Sequence, residues 1–272
     1  MKNNDRRTIT EVVTKESLIE ALRSVGVGPN MILEVHSSLS SFGYVSGGAR
    51  TVVDALLELE EEGGTILMPT QTADNSDPSG WKNPPAAPQI WDQIRESMPA
   101  YDAELTDVQY MGDIVENFRN REGTVCSNHP NCSYTAWGRY AKLLCNRQSV
   151  HFPLAEESPS ARLYELKGYV LLLGTDFDKV TSLHLAEYRT ECRPIVIDNA
   201  CMMIDGRRQW KKYLNLDIDS SDFNRIGESL AKKGMISETM LCGCRIRLFS
   251  AAAAIDEATD YFEKNSIFNL YR

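Results

Sequence analysis

The segment Tyr169-Val-Leu-Leu-Leu-Gly174 decides the fold class, because it is a continuous apolar run of strand length that ends at a glycine. A strand that is apolar at every position is typical of the interior of a sheet covered on both faces. Helix-like and strand-like segments lie on either side of it along the chain. We therefore expect a central strand here, in a sheet with helices packed against it.

The segments before this strand alternate between helical and extended patterns. Apolar residues recur at helical spacing over 15–25 and 49–60, and each of these segments runs through glycines into a strand-like run, 31–36 and 65–69. Strands separated by amphipathic helices need crossover connections over a sheet face. The pattern predicts the α/β class, with a mixed central sheet flanked by helices.

The remaining segments are assigned in the same way. Residues 70–110 are rich in proline and show little period, so they either cover or carry a site or form a surface excursion. Asp205-Gly206 predicts a tight hairpin turn between two strands. Helices are predicted at 111–120, 136–145, 161–166, 221–232 and 251–263, with a strand near 244–249. We expect one domain over 1–272, with a smaller C-terminal α+β lobe from about 194 as the alternative.

Composition excludes several classes of protein. No apolar run approaches the roughly 20 residues of a membrane helix, and the polar start of the chain lacks a signal-peptide core, which predicts a cytoplasmic protein. Seven cysteines without C-x-x-C spacing favour reduced thiols. The net charge of −9 argues against nucleic-acid binding and suits a cationic small molecule.

The segment Thr181-Ser-Leu-His-Leu-Ala-Glu187 is the first candidate for chemistry. Thr181 or Ser182 is expected to cap a helix, which places His184 in its first turn. There the helix dipole disfavours imidazolium, so the ring can accept a proton near neutral pH. Glu187 shares the helical face and can orient the ring. The alternative is a partly buried histidine satisfied by a local hydrogen bond.

Two further segments combine hydroxyls with a histidine. His36-Ser-Ser-Leu-Ser40 follows a predicted strand, at the position where open α/β sheets bind ligands, or it simply ends that strand. His129 in Ser127-Asn-His-Pro130 either contacts a ligand or bonds a backbone carbonyl. The sequence contains no P-loop, dinucleotide fingerprint, H-E-x-x-H pair or G-x-S-x-G elbow. Phosphoryl transfer, hydride transfer and serine hydrolysis are disfavoured.

Read together, six motifs resemble the aminoglycoside 3-N-acetyltransferase family in order and spacing over about residues 15–190. They are Val35-His-Ser-Ser-Leu39, Gly64-Thr65 with Met68-Pro-Thr70, Met111-Gly112 with Glu116-Asn-Phe-Arg119, Ser127-x-His-Pro130, Ser158-Pro159 and Thr181-Ser-x-His-x-x-Glu187. The resemblance implies an α/β fold distinct from that of GNAT acetyltransferases, with acetyl-CoA as the acetyl donor. It also implies acetylation of an amino group of an aminoglycoside or similar amine, the reaction linked to antibiotic resistance in the family.

The resemblance also implies roles for individual residues. His184 is the expected base, Glu187 its stabiliser, and Glu116 the second candidate for that role or for holding a cationic acceptor. The expected coenzyme contacts are His36, Ser37, Ser38, Leu39, Met111, Ser127 and His129. Direct transfer in a ternary complex is expected, because no cysteine is placed to form an acetyl-enzyme. Cys126 and Val180 stand where the family commonly has arginine and asparagine.

Two rival hypotheses remain open at this point. A coenzyme-A-binding protein without catalysis would keep the serine-rich segments but would not need His184. A metal-dependent hydrolase could use His36, His129 and His184, although no two of these histidines share a metal-ligand spacing. We expect no metal, a small-molecule amine as partner, no nucleic-acid or membrane partner, and leave a homodimer open.

Overall fold

The computed structural model describes residues 9–72 and 75–265 and contains a mixed seven-stranded sheet. The polar N-terminal heptapeptide, used above to predict the cellular location, lies outside these residues. The strands are β1 (Ile32–Ser37), β2 (Thr65–Pro69), β3 (Val125–Cys126), β4 (Tyr134–Gly138), β5 (Tyr169–Leu173), β8 (Ser237–Leu241) and β9 (Cys244–Ser250), in the order β3-β4-β2-β1-β5-β9-β8. The predicted α/β class with a mixed sheet is confirmed.

Strand β5 is an interior strand, as its apolar run predicts. It pairs in parallel with β1 and antiparallel with β9, and its last four residues are buried. Strand β1 also pairs in parallel with β2, so β1 and β5 end at the same edge of the sheet. This edge is where ligands bind in open α/β sheets.

Helices cover both faces of the sheet. Helices α1 (Lys15–Ser24), α2 (Ala49–Glu60) and α4 (Asp113–Arg119) pack on one face, around a core that includes Leu33 and Val35 of β1. Helices α5 (Ala141–Cys145), α6 (Pro159–Glu165), α7 (His184–Arg189), α8 (Phe223–Lys232) and α9 (Ala251–Asn265) pack on the other, with Ile32, Val170 and Leu172. Alternate residues of one strand therefore serve two separate cores.

Local signals set several helix boundaries. Thr14 caps α1 by accepting a hydrogen bond from Ser17 N at 3.2 Å, and Ser158 caps α6 in the same way with Ala161 N at 3.1 Å. Pro159 occupies the first turn of α6, where its missing N–H costs nothing. The predicted start of α1 agrees with the structure, whereas α6 begins at Pro159, two residues before its predicted start.

The C-terminal part contributes a separate hairpin and two strands of the main sheet. Strands β6 (Ile195–Ile204) and β7 (Arg207–Leu216) pair antiparallel over their full length, and Asp205 and Gly206 adopt φ values of 49° and 71° in the predicted turn. Strand β9 pairs with β5 in the middle of the main sheet.

Several local features differ from those predicted from the sequence. Residues 136–138 belong to strand β4 rather than to a helix, because Ala136 pairs with Leu67 in the sheet. The short strand β3 and the edge strand β8 were not predicted. Among its described residues, the irregular segment 70–110 contains one α-helix, α3 (Trp91–Ser97), and two short 3-10 turns.

The segment 75–101 packs against the β6–β7 hairpin. Asp77 N donates to Asn199 O at 3.0 Å, and Tyr101 N donates to Cys201 O at 2.8 Å. The Asp77 carboxylate also binds the Arg95 guanidinium, which holds the pKa of that carboxyl well below its usual range. Both tryptophans of this segment donate their indole N–H within it, as a pinned excursion requires.

Candidate active site

A cleft of about 560 Å³ opens at the carboxyl ends of β1 and β5. Residues from the end of β1, the start of α4 and the turn before α7 face it. The sequence-predicted residues among its walls are His36, Ser37, Ser38, Leu39, Met111 and His184. The fold therefore brings together residues that lie up to 148 positions apart in the chain.

His184 is the first residue of α7, and its side chain is 13% exposed on the cleft wall. Its Nδ1 hydrogen bonds to Glu187 Oε2, one turn further along the helix. Because an ionised carboxylate can only accept, Nδ1 carries the proton and the lone pair of the neutral ring lies on Nε2. The ring also packs against Phe223, with the ring centroids 4.8 Å apart.

Glu187 is fully buried and held by two further donors. Its Oε1 accepts from Arg193 Nε at 2.5 Å and from the backbone N–H of Asp219 at 3.1 Å. A buried carboxylate is tolerated when it is paired and hydrogen bonded in this way. The arrangement fixes the tautomer and orientation of His184, as a base requires.

The capping role predicted for Thr181 or Ser182 is wrong. Residues 181–183 form a short 3-10 turn that leads directly into α7, and the residue before the helix makes no side-chain cap. The hydroxyl of Ser182 instead donates to the carboxylate of Glu34 in β1. His184 is nevertheless in the first turn, as predicted.

The turn after β1 forms a second wall of the cleft. Ser38 N donates to Leu173 O at 2.9 Å, which extends the pairing of β1 with β5 to the cleft edge. The Ser37 hydroxyl is buried and has no hydrogen-bond partner among the described residues. Ser41 Oγ donates to Gly174 O at 2.9 Å, and a Cβ on Gly174 would lie 2.3 Å from Ser41 Cβ. Only glycine permits this close approach of the two strand ends.

The Ser127–His129 loop lies away from the cleft walls. Ser127 Oγ donates to Gln148 Oε1 at 2.6 Å and accepts from Tyr134 N at 2.8 Å. His129 Nδ1 accepts from the backbone N–H groups of Asn131 and Cys132, and its Nε2 contacts Val150 O at 3.2 Å. Burial lowers the pKa of His129 to about 4. A coenzyme contact by these two side chains stays a prediction that the cleft geometry does not support.

Glu116 is also outside the cleft walls. Its carboxylate binds Arg119 Nε at 2.8 Å and Asn120 Nδ2 at 2.9 Å on the exposed side of α4. The preceding residues Ile114 and Val115 do face the cleft. The helix is therefore part of the site, while this carboxylate points to its own helical neighbours.

The two positions that depart from the family pattern have ordinary packing roles. Cys126 Sγ lies 3.1 Å from Thr135 Oγ1, between β3 and β4. Val180 is 1% exposed and belongs to the core under α7.

Over 9–72 and 75–265, the structure contains no group of three or more His, Cys, Asp and Glu side chains that could hold a metal ion. No helix in the same residues is long and apolar enough to cross a membrane.

Comparison with known proteins decides the family. The sequence profile of aminoglycoside 3-N-acetyltransferase matches residues 35–263, which include every residue of the cleft walls as well as His129. The chain belongs to the aminoglycoside 3-N-acetyltransferase family. It is therefore an acyltransferase, and acetyl-CoA is the acetyl donor of this class of enzyme.

Relatives match over almost the full chain. The SPbeta prophage-derived aminoglycoside N(3')-acetyltransferase-like protein YokD of Bacillus subtilis strain 168 is 42% identical over 258 residues, which cover 94% of this chain and 95% of YokD. Aminoglycoside N(3)-acetyltransferase VII of Streptomyces paromomycinus is 30% identical over 276 residues, which cover 93% of this chain and 92% of that protein.

Solved structures of the family share the fold. The crystal structure of YokD superposes with a TM-score of 0.92 at 41% identity, over 96% of this chain and 97% of YokD. A binary complex of AAC-IIIb with CoASH superposes with a TM-score of 0.83 at 25% identity, over 93% and 97% of the two chains. The resemblance and the aminoglycoside 3-N-acetyltransferase-like fold predicted from the sequence are confirmed.

The cleft has the mixture of surfaces that an acyl thioester on a pantetheine arm needs. Leu39 and Met111 present apolar surface, while Ser37 and Ser38 present hydroxyls. The buried Ser37 hydroxyl, which has no partner among the described residues, is a polar group still able to bond a ligand. These residues fit the acetyl donor of the family.

Several wall residues were not predicted from the sequence. Gln71 and Tyr110 come from the two ends of the irregular segment, Thr175 follows β5, and Ile218 follows the hairpin. Thr175 could have been found from the rule that places ligands beyond the carboxyl ends of parallel strands. Gln71, Tyr110 and Ile218 carry no motif, because long-range packing brings them to the cleft.

Proposed function

We propose that this chain transfers the acetyl group of acetyl-CoA to an amino group of an aminoglycoside or similar amine, directly within a ternary complex, with His184 as general base. The observation that carries the proposal is the buried Glu187 carboxylate on Nδ1 of a histidine that faces the cleft. The acetyl group comes from the acetyl-CoA thioester: its carbonyl carbon bonds to the amine nitrogen, the carbon–sulfur bond breaks, and coenzyme A leaves as a thiolate.

The histidine's task follows from the protonation of the acceptor. An alkylammonium ion has no lone pair, so the amine must lose a proton to act as a nucleophile. His184 accepts this proton at Nε2, because Nδ1 already donates to Glu187. The negative charge of Glu187 balances the imidazolium that results. Arg193 and the Asp219 N–H hold that carboxylate in place throughout.

Direct transfer is favoured over an acetyl-enzyme. Among the described residues, no cysteine lines the cleft. Burial also raises the pKa values of Cys132, Cys145 and Cys244 to about 12, so these groups remain thiols rather than nucleophilic thiolates. His184 and the turn proposed to bind the donor, residues 36–39, share one cleft, as transfer between two bound substrates requires. We call residues 36–39 the donor-binding turn.

Two features support a cationic acceptor. The relative from Streptomyces paromomycinus is named for acetylation of aminoglycosides at N(3), and aminoglycosides are polycations. The net charge of this chain is −9, and Asp113 and Asp178 lie in the cleft walls. An acidic surface raises the local concentration of a cationic substrate.

A thiol-release assay tests the proposal. Purified protein is mixed with acetyl-CoA and a panel of aminoglycosides and simple amines, with reactions lacking either substrate as controls. We expect thiol release only when both substrates are present, one acetylated amine per thiol, and intersecting rather than parallel lines when both concentrations are varied. Parallel lines would contradict direct transfer. Failure of every amine in the panel would refute the acceptor class.

A further inference from the structure

A fully buried carboxylate lies beneath the cleft in β1. Glu34 has no exposed surface, and its Oε2 accepts a hydrogen bond from Ser182 and lies 3.5 Å from His36 Nε2. Its Oε1 and the Nε2 of His36 have no hydrogen-bond partner among the described residues. The side chains of its neighbours Leu33 and Val35 pack on the other face of the sheet, in the core under α1, α2 and α4.

This position is costly for an acidic side chain. Removing a carboxylate from water is unfavourable unless hydrogen bonds and a countercharge compensate, and apolar replacements of buried ionic groups are often neutral or stabilising. The Glu34 carboxylate is only partly satisfied by the described residues. Stability alone therefore does not explain an acidic residue in the middle of this strand.

We infer that Glu34 is a positioning residue for acetyl transfer. It fixes the turn before His184, residues 181–183, relative to the donor-binding turn, residues 36–39. The inference rests on the proposed role of His184. It concerns two contacts made by the same carboxylate oxygen, one to each side of the cleft.

The first contact fixes the backbone that carries the base. Ser182 is fully buried and lies two residues before His184, in the turn that leads into α7. Its hydroxyl anchors this turn to β1, while Glu187 holds the far side of the imidazole ring. The base is thus held from two directions, and small displacements of a catalytic group cost large factors in rate.

The second contact fixes the start of the donor-binding turn. His36 is 7% exposed, lines the cleft and immediately precedes Ser37. Its backbone is held separately, because Thr175 Oγ1 donates to His36 O at 3.3 Å. The Glu34 carboxylate lies 3.5 Å from Nε2 of the ring, so it faces the His36 side chain while Thr175 holds the backbone.

The two contacts predict different kinetic effects. Ser182→Ala removes only the link to the base, so we expect kcat to fall about ten-fold while KM for acetyl-CoA stays within about two-fold. Glu34→Gln keeps the shape and an acceptor for Ser182 but removes the charge that faces His36. We expect it to raise KM for acetyl-CoA about five-fold or more and to lower kcat as well.

Matched controls separate positioning from folding. Glu60 is a second fully buried glutamate, in α2, where it accepts from Met31 N at 3.1 Å. Ser160 is a second fully buried serine, which bonds the Tyr134 hydroxyl at 2.7 Å. Glu60→Gln and Ser160→Ala should leave kcat and KM within about two-fold of the parent protein, since neither residue lines the cleft.

A double-mutant cycle completes the test. If Ser182 acts through His184, Ser182→Ala should lower kcat in the parent but have no further effect in a His184→Gln background. The inference is overturned if Ser182→Ala lowers kcat by the same factor in both backgrounds. It is also overturned if Glu34→Gln and Ser182→Ala have the same kcat and KM as their controls, Glu60→Gln and Ser160→Ala. Full activity of His184→Gln alone would instead refute the proposed base, so the two failures are distinguishable.

Discussion

Two histidine loops that look equivalent in the sequence have opposite environments in the structure. His184 faces the cleft and presents a hydrogen-bonded Nδ1 to a buried carboxylate. His129 is fully buried, accepts two backbone N–H groups and has a pKa lowered to about 4. The first ring is open to a ligand in the cleft, whereas the second holds a loop together. The difference lies in partners that are distant in sequence.

The largest effect should come from removing the charge beside the cleft histidine. Glu187→Gln keeps the size of the side chain but cannot balance an imidazolium, so we expect kcat to fall about a hundred-fold or more. Steady-state kinetics measure this loss. Glu156→Gln serves as the control. It breaks an exposed ion pair with Arg189, which lies in α7 like Glu187. Equal kcat values for Glu187→Gln and Glu156→Gln would contradict the catalytic role that is proposed for His184 and not for His129.

The buried histidine should matter for stability instead. His129→Leu leaves two backbone N–H groups without their acceptor, so we expect a loss of about 3 kcal/mol in the free energy of unfolding. Turnover per folded molecule should be retained. Denaturant unfolding measures the loss, and His151→Leu, at an exposed histidine, should cost less than about 1 kcal/mol. A catalytic defect of His129→Leu without loss of stability would show that this histidine serves the reaction.

The same histidine should make stability depend on pH. Its folded pKa of about 4 lies below the usual value of about 6.5, so between these values only the unfolded chain binds the proton. The free energy of unfolding should therefore fall as pH is lowered through this window, by about 1 kcal/mol per pH unit from this group. Comparison with His129→Leu isolates the contribution. Identical slopes for both proteins would contradict a neutral, buried His129.

The smallest effect is expected at the second sequence-predicted carboxylate. Glu116 is bound to Arg119 and Asn120 on the exposed side of α4, outside the cleft walls. Glu116→Gln should change kcat and KM for the amine by less than about two-fold. A large rise in KM for the amine would restore its role in holding the acceptor.

The sequence predicted elements whose patterns are local. Strand β5 is apolar throughout and α6 has its cap and proline in sequence, so both were found. Edge strand β8 exposes most of its residues and was missed, because it lacks an apolar face. Residues 136–138 of strand β4 were taken for the start of α5, because only Arg139 and Tyr140 separate the two elements.

The site was predictable only in part for the same reason. Motif order predicted His184 and the serine turn after β1, which line one cleft, and Glu187, which hydrogen bonds to His184 from beneath it. The burial of His129 depends on Val150 and Tyr213, which no short motif contains. The contact between Ser182 and Glu34 spans 148 residues, so local capping rules assigned that serine the wrong partner.

The proposed function depends on proton transfer from the acceptor amine to the imidazole of His184. Acetyl transfer by His184→Gln, measured in parallel with its affinity for coenzyme A by calorimetry, tests this step. We expect kcat to fall by about 10²- to 10⁴-fold while the affinity for coenzyme A stays within about two-fold. Turnover within a few-fold of the parent protein, with the coenzyme still bound, would contradict it.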